Sequence, residues 1–326
     1  MNNLDAAILA VLQDDFPLQT RPYRVLADRL QSTERTIFAR VEHMVAQGII
    51  RRLGPRYDAR RLGRRGTLVA AGVPPERLET VADVLEGYHQ VTHCYERAGG
   101  PYNLWFTLTA GPAESPDALM EEIRGKTGIE DMYSLPAERV YKLRVRFQPG
   151  ENERDQTRSR DVAMPSPSED VRPLDDVDRR IVSLTQGGLP VSIAPFQELA
   201  DRLALSSDEL LGRLGRLAQD GFIRTMGAVV HGPSVGFRCN MLVAWRVEPA
   251  ECDRVGAIFA SFSGVSHCYQ RRALAEFPYN VYTMIHGRDR ADCLSLLASM
   301  AGQSGVSERV SLETVRELKK TAPRFF

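Results

Sequence analysis

Cysteine and long apolar runs are both scarce in this 326-residue sequence. The five cysteines are an odd number without a CxxC pair, so the sequence indicates neither a disulfide framework nor a cysteine metal site. No stretch approaches the roughly 18 consecutive apolar residues of a membrane span. The first residues also lack a basic segment followed by an apolar stretch and a cleavage site. We therefore expect a cytoplasmic protein that contacts no membrane.

An excess of charge of either sign is also missing, because 42 Lys and Arg balance 42 Asp and Glu. A dedicated nucleic-acid binder depends on neutralising phosphates, so this balance argues against one. Hydrophobic residues make up 43% of the chain and charged residues 26%, which is typical of a globular protein. The chain is too long for one ordinary core, and we expect at least two domains.

The chain contains the same module twice. Five strings recur in the same order at a nearly constant offset, which is a signature of duplication. The strings are LDAAI and LDDVDRRI (from Leu4 and Leu174), LADRL (from Leu26 and Leu199), AQGIIR and AQDGFIR (from Ala46 and Ala218), HCY (from His93 and His267) and PYN (from Pro101 and Pro278). Two similar modules in one chain can pair with each other, and we predict an intrachain pseudo-dimer.

Each copy begins with helical patterns and continues as a mixed domain. In copy one, three short helical patterns precede the strand-like segment Gly48–Arg52, which predicts a winged helix-turn-helix. The following strand, helix, strand, strand, helix and strand form the ferredoxin-like order. The predicted fold class is α+β, a tandem duplication of both parts. The predicted domains are winged helix-turn-helix units at 1–62 and 174–232, ferredoxin-like (βαββαβ) domains at 63–148 and 233–326, and a polar, proline-bearing linker at 149–173.

Two rows of polar side chains mark one face of the predicted sheets. The rows are His93, Tyr95 and Arg97 in copy one, and His267, Tyr269 and Arg271 in copy two. Alternate residues of a strand point to the same side, so each row projects from one face. The intervening Cys94 and Cys268 should then point toward the helices. An ordinary subunit interface is an alternative, since Tyr and Arg are common in interfaces.

Histidines are unevenly divided between the copies. Copy two has His231, His267 and His286 in or near this face, where copy one has Asp58, His93 and Thr109. Imidazoles exchange protons near neutral pH, so copy two contains more groups suited to proton transfer. This asymmetry favours a chemically active site over a plain interface.

Seven arginines lie between Arg51 and Arg65. Such a run can contact DNA phosphates or be merely solvated, but guanidinium groups also suit an anion with several carboxylates. The third helix of copy two begins with acidic residues and contains Gly212 and Gly215, which makes it a poor DNA reader. Nucleic acid is therefore an unlikely partner, and a ligand with several carboxylates fits the arginines better.

The order of a winged helix and a ferredoxin-like domain resembles the Lrp/AsnC family of regulators. Two strings make the resemblance more specific. VTHCYERAGGPYNLWFTL (Val91–Leu108) resembles the first-subunit signature of the siroheme decarboxylases, which are Lrp/AsnC-like pairs, and VSHCYQRRALAEFPYNVYTMIHG (Val265–Gly287) resembles their second-subunit signature. Their order is similar to the fused type, with both subunits in one chain. One departure is Phe277, where the family string usually has Trp.

The resemblance implies an activity and a substrate. The activity would be removal of the ring C and ring D acetate carboxyls of siroheme as CO2, giving 12,18-didecarboxysiroheme in haem d1 biosynthesis. It implies no cofactor beyond the iron tetrapyrrole of the substrate itself. A DNA-binding Lrp/AsnC-type regulator and a non-catalytic tetrapyrrole-binding protein are the alternatives. Further copies of this chain, in a homo-oligomer, and a second related decarboxylase pair are possible partners.

Combined with this resemblance, the candidate residues divide into two roles. The candidates for proton transfer are His231, His267, His286 and Tyr269. The candidates for substrate binding are the carboxylate-gripping Arg56, Arg65, Arg97 and Arg271, together with His93, Tyr95, Tyr102, Asn103, Tyr279 and Asn280. His93 is also a candidate axial ligand of the substrate iron. We expect these residues to meet where the uncovered sheet faces of the two copies come together.

Overall fold

A computed structural model describes residues 1–147 and 172–326. The linker predicted at 149–173 lies outside the described residues, apart from its last two positions. Copy one comprises α1 (Asn3–Leu12), α2 (Pro22–Arg29), α3 (Glu34–Ala46), β1 (Ile50–Tyr57), β2 (Arg65–Ala71), α4 (Leu78–Glu86), β3 (Val91–Ala98), β4 (Leu104–Ala110), α5 (Pro116–Thr127) and β5 (Met132–Leu143). Copy two comprises α6 (Asp176–Thr185), α7 (Pro195–Leu203), α8 (Ser207–Gln219), β6 (Ile223–Val230), β7 (Cys239–Trp245), α9 (Cys252–Ser261), β8 (Val265–Arg271), β9 (Val281–Gly287), α10 (Arg290–Ser304) and β10 (Arg309–Lys320). The predicted duplication of helix and sheet elements is confirmed.

The first helix of each copy begins with a capping box that also binds the third helix. The Asn2 side chain accepts a hydrogen bond from the Asp5 backbone N–H at 2.9 Å. The Asp5 carboxylate then binds Arg40 of α3 at 2.6 Å, and Asp178 of α6 binds Arg213 of α8 at 2.9 Å. These third-helix arginines are therefore engaged inside their own helical units, where they neutralise carboxylates rather than phosphates.

The strand that follows each three-helix unit pairs with its counterpart in the other copy. β1 and β6 form an antiparallel ribbon, with Ile50 opposite Val230 and Tyr57 opposite Ile223. Each copy supplies one strand here, so the backbone donors and acceptors find their ladder partners only across the two copies. The strand predicted to enter a wing in each copy thus pairs with the other copy. The ribbon joins the two helical units over one shared core, in which the rings of Phe16 and Phe196 lie 5.9 Å apart.

The remaining eight strands form one closed barrel. Each copy has the ferredoxin-like strand order, β3-β4-β2-β5 in copy one and β8-β9-β7-β10 in copy two. The last strand of each copy also pairs antiparallel with the other copy, β5 with β8 and β10 with β3. Closure leaves no unpaired sheet edge, and helices α4, α5, α9 and α10 pack on the outside. The two copies thus pair within one chain, as predicted, with their uncovered faces turned into the barrel.

Aromatic side chains fill one end of the barrel interior. The ring of Phe277 lies 5.5 Å from Tyr102 and 6.0 Å from Trp105, and Tyr279 packs on its other side at 4.7 Å. Phe277 belongs to a loop that is longer in copy two, with six residues between Arg271 and the following proline where copy one has three. The free space inside the barrel therefore lies at the opposite end, which faces the ribbon.

Buried lysines attach the last strand of each copy to a helix of the other copy. Nζ of Lys319 in β10 donates to three carbonyl oxygens at the C-terminal end of α4, at 2.7–3.1 Å. Nζ of Lys142 in β5 donates to two carbonyl oxygens at the end of α9, at 2.9 and 2.8 Å. An ammonium group at this end satisfies orphan carbonyls and complements the helix dipole.

Replacing Lys319 with methionine should therefore lower the free energy of unfolding by about 2–3 kcal/mol, because hydrogen bonds from a charged donor are lost and buried carbonyls stay unpaired. Urea unfolding followed by circular dichroism measures this change. Lys126→Met is the control, since Lys126 is exposed and forms a surface ion pair worth less than about 1 kcal/mol. Equal effects of the two substitutions would contradict the capping role.

Candidate active site

A cavity of about 590 Å³ lies between the open end of the barrel and the β1–β6 ribbon. Its size falls within the roughly 300–1,000 Å³ of sites that hold organic ligands. Of the predicted site residues, the lining contains His93, Tyr95, Arg97, His231, His267, Tyr269, Arg271, His286 and Arg56. The structure thus brings both polar rows and the histidines of copy two to one place.

A β-bulge lies directly before the histidine of each row. Thr92 and Ser266 are the extra residues, because the strand register advances by two residues there against one on the neighbouring strand. The Thr92 hydroxyl lies 3.0 Å from Nδ1 of His93, and the Ser266 hydroxyl lies 2.7 Å from Nδ1 of His267. Nδ1 of each imidazole is thereby engaged, so Nε2 is the ring nitrogen left for a ligand in the cavity that both rings line. The intervening cysteines belong to the helix-side cores, as predicted.

The two row arginines are buried beneath the cavity. Arg97 is 5% exposed and Arg271 is 9% exposed. Each guanidinium lies over the tyrosine of its own row, 5.0 Å from the Tyr95 ring and 4.8 Å from the Tyr269 ring. Nε of both arginines has no hydrogen-bond partner among the described residues. Burial lowers the pKa of Arg97 to about 10, so the group stays cationic at neutral pH.

Positive charge dominates the cavity wall. Among residues 1–147 and 172–326, the basic residues in the lining are Arg51, Arg52, Arg56, Arg97, Arg271 and Lys320, and the acidic residue is Glu317. Glu317 binds Arg51 at 3.2 Å and Lys320 at 3.3 Å. One carboxylate cannot balance six cations within this described lining, so the cavity attracts an anion.

The two sides of the cavity differ in polarity. Beside His93 lie Arg51, Lys320 and Glu317, whose charges act on its imidazole. The lining near His267 includes the apolar Val145, Phe147 and Met284, and the charges of Arg224 and Arg271 act on its imidazole. The ring of Phe147 meets His286 edge to face at 5.2 Å.

Copy two adds a second imidazole behind its row histidine. Nε2 of His286 lies 2.7 Å from the Ser266 hydroxyl that also contacts His267, and Nδ1 of His286 lies 2.5 Å from Oδ1 of Asn240. The strand register places Gly66 and Thr109 at the equivalent positions in copy one. The uneven division of histidines therefore corresponds to a pair of imidazoles in copy two that the Ser266 hydroxyl bridges.

Burial keeps these imidazoles neutral. Desolvation lowers the pKa of His93 to about 4, that of His267 to about 3 and that of His286 to about 4. Positive neighbours act in the same direction, chiefly Lys320 on His93 and on His286. The pKa of His231 is also lowered by burial. Uptake of a proton by any of them requires a compensating negative charge.

The protein without ligand should lose stability as the pH falls from about 6.5 toward 4. The unfolded chain protonates these histidines near pH 6.5 and the folded chain only near the lower values, so unfolding takes up protons within this window. The free energy of unfolding should drop by up to about 1.4 kcal/mol per pH unit for each such histidine. Urea unfolding at several pH values measures the slope. His267→Gln should show a shallower slope, and an unchanged slope would contradict the neutral state of His267.

Comparisons with known proteins agree with this architecture. A model described as the AsnC-like ligand binding domain matches residues 61–142 and 234–319, and one described as the siroheme decarboxylase NirDL-like HTH domain matches residues 5–51 and 178–224. A siroheme decarboxylase of Hydrogenobacter thermophilus is 33% identical over 330 residues, covering 100% of this chain and 96% of that protein. The chain belongs to the siroheme decarboxylase family. It is accordingly a decarboxylase.

Two solved structures of the siroheme decarboxylase NirDL share the fold. The first has a TM-score of 0.74 and 31% sequence identity, covering 99% of this chain and 94% of that one. The second, a co-complex with an iron-uroporphyrin III analogue, has a TM-score of 0.72 and 32% identity, covering 99% and 95%. The duplicated helix-turn-helix and AsnC-like organisation of this chain is thus that of the family.

Five predicted substrate contacts lie outside the cavity. They are Tyr102, Asn103, Tyr279, Asn280 and Arg65. The tyrosines pack in the aromatic end of the barrel. The asparagine amides bind backbone groups of Val73 and Val247, at 2.7–2.9 Å, and Arg65 donates to the Glu114 carbonyl at 2.6 Å. The repeated PYN string therefore stabilises the fold, and the structure does not bring these five predicted substrate contacts into the cavity with the others.

Several lining residues of this siroheme decarboxylase were not singled out from the sequence. They are Asn240, Phe147, Met284, Glu317 and Lys320. Strand pairing or a chain segment distant in sequence brings each of them to the cavity, so local sequence spacing does not reveal them. Within residues 1–147 and 172–326, no helix is long and apolar enough to cross a membrane, and no group of three or more His, Cys, Asp and Glu could hold a metal ion.

Proposed function

We propose that this cavity binds siroheme and removes its ring C and ring D acetate carboxyls as CO2, giving 12,18-didecarboxysiroheme for haem d1 biosynthesis. The observation that carries the proposal is a cavity of about 590 Å³ into which both polar rows project, with six basic residues and one acidic residue in the part of its lining that the structure describes. Siroheme is a flat iron tetrapyrrole with several carboxylates, and guanidinium groups suit such an anion. The solved complex with an iron-uroporphyrin III analogue supports this ligand class.

The polar side of the cavity holds the substrate. Arg51, Arg56 and Lys320 bind carboxylates that remain on the product, and the buried guanidinium groups of Arg97 and Arg271 add positive charge beneath them. Nε2 of His93 is the axial ligand of the substrate iron, since its Nδ1 is engaged by Thr92. The iron arrives with the substrate, and no additional cofactor takes part.

The apolar side promotes loss of CO2. A carboxylate placed near Phe147 and Met284 loses water contacts, which disfavours the charged acid relative to neutral CO2. As the bond between the methylene carbon and the carboxyl carbon breaks, its electron pair passes into the macrocycle. A proton then joins the methylene carbon to give a methyl group, so no oxidant or reductant is consumed. His267 donates this proton, and Tyr269, stacked on it with ring centroids 6.1 Å apart, orients it.

His231 has a different place at the mouth of the cavity. Its Nδ1 lies 2.7 Å from the Ser234 hydroxyl, and the charges of Arg51, Lys320 and Glu317 act on its ring. We assign it to proton exchange with solvent rather than to the reacting carbon. Further homo-oligomerisation and pairing with a second related decarboxylase pair stay predictions.

Anaerobic incubation of the purified chain with siroheme tests the proposal. Mass spectrometry should show a tetrapyrrole lighter by one and then two CO2, and a sample without protein should show none. Recovery of bound but unchanged siroheme would instead indicate a carrier. Specific DNA binding that weakens steeply with salt, without any product, would indicate a regulator.

A further inference from the structure

Four side chains of copy two form a continuous hydrogen-bonded chain that begins at the cavity. His267 contacts the Ser266 hydroxyl at 2.7 Å, that hydroxyl contacts Nε2 of His286 at 2.7 Å, and Nδ1 of His286 meets Oδ1 of Asn240 at 2.5 Å. Ser266 is 3% exposed, so water does not compete for its hydroxyl. The β-bulge at Ser266 is what turns this hydroxyl between the two imidazoles.

Asn240 sets the direction of the hydrogen bonds. Its side-chain oxygen accepts, so Nδ1 of His286 carries a proton and Nε2 of the neutral ring is an acceptor. Ser266 therefore donates to His286 and accepts from Nδ1–H of His267. The Met284 carbonyl, 3.2 Å from the serine hydroxyl, is the competing acceptor, but donation to it would leave Nε2 of His286 facing an oxygen without a proton. In the resting state, every proton of this hydrogen-bonded series points toward Asn240.

We propose that Asn240, His286, Ser266 and His267 form a proton relay that supplies the carbon-protonating imidazole, with Ser266 and Asn240 as positioning residues. The inference rests on the proposed function and adds two residues that do not touch the reacting atoms. It also gives His286 a role as the store of the proton, one hydrogen-bonded step behind the donor.

The relay balances one proton for each carboxyl lost. An added proton binds Nε2 of His267, the Nδ1 proton of His267 passes to the Ser266 oxygen, and the serine proton passes to Nε2 of His286. His286 is then a cation with both ring nitrogens protonated, the Ser266 hydroxyl is reversed, and Nε2–H of His267 faces the substrate. When that proton moves to the methylene carbon, the serine proton passes to Nδ1 of His267 and the Nε2 proton of His286 passes to the serine oxygen. His286 becomes neutral, and the hydrogen bonds of the series return to their resting direction. No electron is gained or lost by the protein.

Charges around the relay link its loading to the substrate. Lys320 and Arg97 act on His286, and Arg224 and Arg271 act on His267, so cations oppose an extra proton in the empty cavity. A ligand with several carboxylates offsets these cations. The relay therefore gains its proton together with the anionic substrate.

Copy one provides a matched comparison. Its bulge residue Thr92 contacts His93 as Ser266 contacts His267, but Gly66 and Thr109 stand where Asn240 and His286 stand. A hydroxyl next to an imidazole is thus present in both copies, and the second imidazole only in copy two.

Single-turnover rates in mixtures of H2O and D2O test the relay in the full chain. Ser266→Ala should slow decarboxylation by about 10- to 100-fold, in the range of a lost proton-transfer contribution, with siroheme affinity within about twofold. A plot of rate against deuterium fraction should be bowed for the unmodified chain, because several protons move together, and straight for Ser266→Ala. Ser266→Thr should restore the bowed plot, and Thr92→Ala should keep it. A straight plot for the unmodified chain, or a bowed one for Ser266→Ala, would overturn the relay.

A second variant tests the direction of the chain without turnover. Nitrogen-15 NMR of the ligand-free protein should show His267 protonated at Nδ1, and Asn240→Leu should convert His267 to a mixture of tautomers. An unchanged tautomer in Asn240→Leu would overturn the role of Asn240. Because this readout needs no substrate, its failure is distinct from failure of the proposed function, which would show as unchanged siroheme with the unmodified chain.

Discussion

Replacing His267 with alanine should lower the rate of siroheme decarboxylation by at least about a hundredfold while the tetrapyrrole still binds. His267 lines the less polar part of the cavity, and its Nδ1 is held by Ser266 at 2.7 Å, so its Nε2 is the ring nitrogen that can reach the substrate. The charged groups that bind carboxylates remain in this variant. The time course of product mass under anaerobic conditions measures the rate, and an absorbance titration measures binding.

The pseudo-symmetric His93→Ala is the matched control. His93 occupies the same strand position in copy one but has Thr107 and Thr92 as its polar neighbours instead of a second imidazole. Its loss should alter the absorbance of the bound iron tetrapyrrole, as expected for a removed axial ligand, with a smaller fall in rate. Undiminished decarboxylation by His267→Ala would remove this residue from the mechanism, and equal rate losses in both variants would contradict the asymmetry.

The parts of the site that the sequence predicts are those that depend on local periodicity. The spacing of two between His267, Tyr269 and Arg271 placed them on one face, and the structure has all three in the cavity lining. The same alternation placed Cys94 and Cys268 in the helix-side cores, where they lie. Strand alternation is a property of the backbone, and a repeated string shows it twice.

The parts that the sequence did not predict depend on pairing across the two copies. The sequence of a strand such as β1 does not identify the strand that pairs with it. The pattern therefore predicts a wing, whereas the structure has a ribbon with β6. The contact between Asn240 and His286 depends on the register between β7 and β9. The link from His286 to His267 depends on the bulge in β8. The Pro-Tyr-Asn repeats were misassigned for a related reason, since a string repeated by duplication can preserve the fold as faithfully as a site.

Reversing the charge of Lys320 should weaken siroheme binding by at least about tenfold, and removing the charge of Glu317 should strengthen it. Both residues stand at the polar side of the cavity, where Glu317 binds Lys320 at 3.3 Å and Arg51 at 3.2 Å. A substrate carboxylate that enters must compete with Glu317 for these cations. In Glu317→Gln the cations are free for the substrate, whereas Lys320→Glu places a second carboxylate where the substrate binds. A like charge within about 4–6 Å costs on the order of 3–4 kcal/mol at the effective dielectric of a protein surface.

Lys126→Glu separates this local effect from a change in net charge. It alters the net charge by the same amount as Lys320→Glu, but Lys126 lies on the exposed side of α5, outside the cavity lining. Absorbance titrations at low and high salt should show a large loss of affinity for Lys320→Glu that shrinks as salt screens the charges, and almost none for Lys126→Glu. If the two lysine variants lose affinity equally, the overall charge and not the cavity mouth governs binding. If Glu317→Gln binds more weakly than the unmodified chain, Glu317 contacts the substrate instead of competing with it.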